Sequence, residues 1–204
     1  KIVLNRLGVS HSNFAPKPRV AVQPTVAPVH FGYVGRLHST KGLVELICAV
    51  RAIPADVQFL LNVRGPMPDD STRTFAAELR SIAGADARVV IQPGVPGTEI
   101  PALLAGIDLL VCPSMWFENG PTIALEAMAV GTPVVASRIG NLAEIIDDGV
   151  TGRLVAPGDV DGWARALTEV AAAPAQTIDR WRQALPPMRT MDDVARDYLA
   201  LYAA

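Results

Sequence analysis

One stretch constrains the fold more than any other. Leu109 to Cys112 is a short, wholly apolar run, Pro113 to Gly120 is a loop, and Pro133 to Ala136 is a second apolar run. Between them, Pro121 heads and Gly131 closes a helical segment, the usual asymmetry of helix ends. Two strands joined through a helix form a parallel crossover unit. Strands that are apolar throughout, rather than alternating, are buried on both faces. Glu118 and Glu126 lie on either side of the helix start. That start presents unpaired N–H groups and the positive end of a dipole, which favour an anion. A carboxylate beside a phosphate is costly unless it binds something else, such as sugar hydroxyls. The stretch therefore points to a sugar phosphate or a nucleotide.

The same pattern repeats along the chain. Residues 1–26 are irregular, with a possible strand at Ile2-Val3-Leu4 and then turn formers and Pro16, Pro18 and Pro24, as in a linker. Val29 to Val34 reads as a strand, followed by a helix capped at Ser39 or Thr40 and running to about Ala52. Val57 to Val63 is a strand, Ser71 to Ala83 an amphipathic helix, and Ala87 to Ile91 a strand. Thr98 is expected to cap a short helix ending near Ala105. After the opening stretch come a helix over 141–146, a strand at Gly152 to Val155, and a helix capped by Asp159 or Asp161. Residues 174–190 are ambiguous, and Met191 to Tyr202 is a last helix. Alternating strands and helices predict an α/β, Rossmann-like three-layer sandwich built on a parallel sheet.

In such sheets ligands bind outside the carboxyl ends of the strands. The loops 35–42, 64–68, 92–98, 113–120 and 137–141 all follow strands, so they share that edge. Arg36 and Lys41 flank a helix start there. Cations at that position oppose the helix dipole, by about 0.3–1 kcal/mol each, unless a polyanion sits between them. They are either a phosphate-binding pair or a solvated surface pair. Glu126, inside an otherwise apolar helix, either accepts hydrogen bonds from ribose hydroxyls or stays on the helix surface. Trp116 and Phe117 either line a sugar or acceptor pocket or anchor the loop by burial. His38, on the same edge, is either a catalytic base or a bystander, and His30, mid-strand, is either a base or a packed or edge-exposed residue.

Several function classes drop out. The chain has 204 residues, 18 basic and 20 acidic, for a net charge of -2, so no basic face for nucleic acid is expected. Lys41 is followed by Gly42, which rules out a Walker-type P-loop, and no G-x-G-x-x-G follows a strand. No His/Cys/Asp cluster has metal-ligand spacing, and Ser114 lacks a nucleophile elbow. Cys48 and Cys112 lie in apolar elements and read as reduced core residues, as in a cytoplasmic protein. No apolar run is long enough to span a bilayer. A first residue Lys1 within a linker-like stretch suggests a fragment of a longer chain.

Taken together, the motifs resemble a family. They are Val34-Gly35-Arg36-Leu37 with Lys41-Gly42, Pro113-Ser114 with Glu118, and Glu126-Ala127-Met128-Ala129 with Gly131 and Pro133-Val134-Val135-Ala136. Gly140 with Glu144-Ile145-Ile146, Gly149 and Gly152 completes the set. In this order and spacing they resemble the group 1 retaining glycosyltransferases of the GT-B fold, over roughly Val29 to Val170. The resemblance implies the C-terminal, nucleotide-sugar-binding half: a linker at 1–26, the domain at 27–190, and a helix at 191–204 returning towards the other half.

By this resemblance Arg36 and Lys41 hold the diphosphate and stabilise the leaving group, Glu118 contacts the donor sugar, and Glu126 holds the ribose. Backbone N–H groups of Asn119, Gly120 and Thr122, around Pro121, meet phosphate or sugar. Gln92, Pro93, Gly94 and Val95, with Arg64 and Gly65, flank the base, and Gly35 carries the first loop. The donor is a UDP-, GDP- or ADP-sugar, used as a substrate with no cofactor and no metal. The acceptor, a glycan, lipid or small molecule, and any membrane contact belong to the other half, without which activity is not expected. The rival implications are a GT-B epimerase and a non-catalytic nucleotide-binding module. Ile139-Gly140 before Glu144, and Asn119-Gly120-Pro121, depart from the family pattern and leave the sugar open.

Overall fold

A computed structural model describes residues 4–10, 14, 28–117 and 119–203. Strands β1 (Val29–Val34), β2 (Phe59–Gly65), β3 (Val89–Pro93), β4 (Leu109–Cys112), β5 (Val134–Ser137) and β6 (Gly152–Val155) form a single sheet. Its order is β3-β2-β1-β4-β5-β6 and every neighbouring pair is parallel. Helices α1 (Leu43–Ala52), α2 (Asp70–Ala83) and α6 (Val160–Ala172) cover one face. Helices α3 (Ile100–Gly106), α4 (Thr122–Ala129) and α5 (Leu142–Ile145) cover the other. Helices α7 (Pro174–Ala184) and α8 (Met191–Tyr202) complete the chain.

Strand alternation explains the two cores. Phe31, Leu61, Val63, Val111 and Val135 pack beneath Leu46, Ile47, Leu79, Trp163 and Leu167. Leu110, Cys112, Val134 and Ala136 turn the other way, onto Leu104, Ala124, Leu125 and Met128. Each fully buried Leu or Phe contributes about 1.5–3 kcal/mol of transfer free energy. The sheet order reverses direction between β1 and β4. By that reversal, the carboxyl ends of these two strands mark the crevice position at which open parallel sheets bind ligands.

Several boundaries differ from expectation. Neither Ser39 nor Thr40 caps α1. Ser39–Lys41 is a separate 3-10 turn, capped by the His38 side chain accepting the Thr40 N–H at 3.2 Å. Gly42, at φ 69°, then breaks the chain direction and α1 starts at Leu43. Pro121 is the residue before α4, not its first. Thr98 lies within a 3-10 turn ahead of α3, which has no side-chain cap. Asp159, not Asp161, caps α6 by accepting the Gly162 N–H at 2.8 Å. Val57 donates to Pro54 O in a turn, so β2 starts later, at Phe59. The ambiguous 174–190 stretch contains α7, which tolerates Pro174 in its first turn and is anchored by buried Ile178 and Trp181. Leu4 is exposed and outside any strand, and Ile2 and Val3 lie outside the described residues.

The segment 4–10 docks onto the domain. Val9 N–H donates to Arg189 O at 2.8 Å, Met191 N–H donates to Val9 O at 3.0 Å, and Val9 is buried in the second core.

Candidate functional site

Backbone hydrogen bonds tie the loops at the carboxyl edge together. Gly35 N–H donates to Arg64 O at 3.0 Å, and Gly94 N–H donates to Gly65 O at 2.8 Å, which links the ends of β1, β2 and β3. A Cβ on Gly65 would stand 2.4 Å from Gly35 O, so the approach needs glycine. Across the crevice, Met115 N–H donates to Thr40 O at 2.8 Å. A Cβ on Gly42 would stand 1.9 Å from Pro113 O. The loop after β1 and the loop after β4 are thus clamped backbone to backbone.

The clamp sets charged groups along the edge. Arg36 is exposed, and its carbonyl is held by the Tyr33 hydroxyl at 2.7 Å. Lys41 is half-buried at the end of the 3-10 turn. Arg64 is half-buried, one position before Gly65. Among the described residues, neither the Arg36 nor the Arg64 guanidinium has a hydrogen-bond or ion-pair partner. Arg138, on the same edge after β5, behaves differently. It pairs with Asp148, which also accepts the Leu154 N–H at 3.0 Å. Burial raises the Asp148 carboxyl, but the Leu154 N–H together with Arg138 and Arg153 outweighs it and holds the group below its ordinary value.

Glu126 lies mid-way along α4, half-buried, with buried Leu125 and Ala127 on either side. Among the described residues its carboxylate has no hydrogen-bond or ion-pair partner, and burial pushes that carboxyl above the ordinary value. Helices α1 and α4 both start at the crevice without a side-chain cap. The Thr122 N–H, expected to be free, donates instead to Gly120 O at 2.8 Å. Pro121 is buried, while Asn119 and Thr122 are exposed. Gln92 is half-buried, Pro93 and Gly94 are exposed and Val95 is half-buried, on the loop joined to Gly65. Glu118 lies outside the described residues. Trp116 and Phe117 do not anchor the loop, because each is 69% exposed.

Some participants left no local signal. Asn141 Nδ2 donates to Asn119 O at 2.7 Å and steadies the main loop. Leu7, from the segment read as a linker, lies against Gly120, and Arg6 pairs with Glu144 at 2.8 Å. Beside this bridge is a cavity of about 230 Å³ that includes Leu7, Pro121, Leu125 and Met128 in its walls. Contacts between residues this far apart in the chain cannot be read from composition or periodicity. Asn141 follows Gly140 in a recognised motif, which was the one available hint.

Among the described residues no group of three or more His, Cys, Asp or Glu is arranged to hold a metal ion. No helix among them is long and apolar enough to cross a membrane. The arrangement suits a ligand with both negative charge and hydroxyls. Unpaired guanidinium groups and an uncapped helix start favour an anion, and an unpartnered carboxylate accepts from hydroxyls.

Known proteins share this architecture. The chain is 33% identical over 175 residues to the D-inositol 3-phosphate glycosyltransferase of Arthrobacter sp. (strain FB24), covering 84% of this chain and 41% of the relative. It therefore spans well under two thirds of that relative's length. The C-terminal domain of a group 1 glycosyl transferase family protein from Francisella tularensis superposes with a TM-score of 0.70 at 26% identity, over 94% of this chain and 98% of that one. HepE of Anabaena, solved with UDP and glucose, shares the fold with a TM-score of 0.79 at 21% identity, over 96% of this chain and 55% of that one. The model of the family "Glycosyl transferases group 1" matches residues 23–185. The chain belongs to the group 1 glycosyl transferases.

Proposed function

We propose that this chain is the donor-binding half of a retaining, metal-independent glycosyltransferase that takes its sugar from a nucleoside diphosphate. The observation that carries the reading is the unpaired Arg36 guanidinium at the crevice where α1 and α4 begin without side-chain caps. Arg36 and Lys41 hold the diphosphate. As the bond between sugar and diphosphate breaks, its electron pair stays on phosphate oxygen, and these cations stabilise the developing charge in place of a metal ion. Glu126 holds the ribose hydroxyls and Glu118 the sugar hydroxyls. The loops at Gly65 and at 93–95 flank the base. The UDP and glucose held by HepE, which shares this fold, support the ligand class.

The acceptor is bound by a preceding half, towards which 191–204 returns. Exposed Leu199 and Tyr202 on α8 support that last point.

Calorimetric titration with UDP, GDP and ADP tests the reading. Arg36→Ala is expected to weaken binding by about 1.5–3 kcal/mol, or roughly 10- to 150-fold, without changing Tm, since Arg36 has no partner to lose. EDTA is expected to leave affinity unchanged. An unaltered affinity in Arg36→Ala would remove that residue from the site. Absence of binding by every nucleotide at millimolar concentration would sink the reading.

A further inference from the structure

The segment 4–10 reaches the loop ahead of α4. Leu7 Cδ1 lies 2.4 Å from the position a Cβ on Gly120 would take, so glycine there lets Leu7 settle directly against the Gly120 Cα. Its neighbour Arg6 pairs with Glu144 at 2.8 Å. Glu144 is on α5, three positions after Asn141, the residue that precedes that helix. Asn141 Nδ2 in turn donates to Asn119 O at 2.7 Å. These contacts close a ring. It runs from Arg6 to Glu144, through α5 to Asn141, across to the 119–120 peptide, and from Gly120 back to Leu7.

The ring fixes one peptide plane from two sides. A trans peptide is planar, and its C=O and N–H point in opposite directions. With Asn119 O bonded to Asn141, the Gly120 N–H is aimed away from that side chain. With Leu7 against the Gly120 Cα, the plane is hindered from rocking. The next carbonyl, Gly120 O, is also engaged, by the Thr122 N–H at 2.8 Å. The Gly120 N–H is thus oriented in advance, as donors that stabilise an anion need to be.

The segment is anchored away from this contact. Val9 is buried in the second core and exchanges backbone hydrogen bonds with Arg189 and Met191. Leu7 is 44% exposed, lies outside both cores and borders the cavity of about 230 Å³. Packing in the core therefore does not account for its seat on Gly120. We propose that Leu7 is a positioning residue: with Arg6 and Asn141 it holds the Gly120 N–H towards the diphosphate oxygens, an inference that rests on the nucleoside-diphosphate reading above.

The test measures affinities of UDP, GDP, ADP and inorganic pyrophosphate for the wild type, Leu7→Ala, Leu7→Met, Asn141→Ala and the double variant Leu7→Ala with Asn141→Ala. Tm is the folding control. Leu7→Ala is expected to weaken nucleotides and pyrophosphate in parallel by about 10-fold, the lower end of a hydrogen bond to a charged group, with Tm moving by about 2 °C or less. Leu7→Met keeps the volume and apolar character, and is expected to bind within about twofold of the wild type. The double variant is expected to lose little more than the larger single loss, because both side chains act on one peptide. If Leu7→Ala lowers Tm further, Leu7→Val replaces it, being apolar but too short to reach Gly120; the same loss of affinity is expected.

Wild-type affinity in the shortened Leu7 variants, loss of nucleotide binding with pyrophosphate binding retained, no rescue by Leu7→Met, or additive losses in the double variant would overturn the positioning role. Each of these leaves the nucleoside-diphosphate reading standing. Failure of all three nucleotides to bind the wild type would remove both.

Discussion

Helices α2 and α6 begin at the same edge of the sheet as α1 and α4, and only the first pair carries its own cap. Asp69 accepts the Thr72 N–H at 2.9 Å and the Thr72 side chain returns to the Asp69 N–H, a complete capping box for α2. The Thr72 N–H, with the Thr72 and Ser71 hydroxyls, holds the Asp69 carboxyl below its ordinary value. Asp159 caps α6 with one bond, accepting the Gly162 N–H at 2.8 Å. By contrast α1 begins after Gly42 and α4 after Pro121, and neither residue has a side-chain acceptor to offer. The two pairs also differ in position. Helices α1 and α4 follow β1 and β4, the strands that flank the crevice, and α2 and α6 follow strands further out. Helices α3 and α5, after β3 and β5, also begin without a side-chain cap. At α1 and α4, where a ligand is proposed, the open start is accompanied by the Arg36 guanidinium, unpaired among the described residues.

The largest effect is expected where the open starts are clamped together. Gly42 and Gly149 both have positive φ, 69° and 80°. A Cβ at Gly149 meets nothing within 4 Å, but one at Gly42 would collide with Pro113 O. Gly149→Ala should cost only the left-handed strain, about 1–2 kcal/mol, and leave nucleotide affinity intact. Gly42→Ala adds the collision. Its expected cost is at least about 3 kcal/mol, a fall in Tm of roughly 6 °C or more for a chain of this size, together with loss of nucleotide binding. Thermal melts and calorimetry of the two variants check this. Equal behaviour of the two would show that the loops are not coupled through Gly42.

How far the molecule was legible depends on the range of the contacts involved. Continuous apolar strands between helices were enough for the parallel sheet. Its parallel order then put Arg36, Arg64, Gln92 and the 113–120 loop on one edge without any tertiary information. The break at Gly42 was not legible, because it is set by the approach of Pro113 from a distant strand. The docking of Leu7 against Gly120 and the Arg6–Glu144 pair are of the same kind. Between Asp159 and Asp161 the sequence offered no choice, since either can cap. The fold decides, because α6 begins at Val160. Trp116 could equally have been a buried anchor. Met115, against Gly42 and Gly158, reaches the neighbouring loops instead, and Trp116 stays exposed.

A capped helix can be tested by removing its cap. Asp159→Ala should lose the bond to the Gly162 N–H and cost about 1 kcal/mol, lowering Tm by roughly 2–4 °C. Nucleotide affinity should stay within about twofold, because α6 supplies its own acceptor and leaves nothing for a ligand. A large loss of affinity on titration would erase the distinction drawn between α6 and α1.

The smallest effect has the most informative sign. Glu126 is half-buried and unpartnered, and burial raises its carboxyl above the ordinary value of 4.5. In the interval between the ordinary and the raised value, the folded chain keeps a proton that the unfolded chain has released. The associated stability is fully present below the unfolded value and is lost as pH rises through the folded one. At neutral pH the ionised group is therefore a net cost to folding, kept small because half of the side chain remains in water. Glu126→Gln removes the charge and keeps the shape, so the ligand-free variant should melt about 1–2 °C higher at pH 7. The gain should vanish below about pH 4, where both side chains are neutral. The same substitution should weaken a ribonucleoside diphosphate several-fold and leave its 2′,3′-dideoxy counterpart unaffected. A variant that is more stable and binds less well is what a carboxylate held for ribose hydroxyls requires. Equal losses for the two nucleotides would make Glu126 a surface residue of α4 and nothing more.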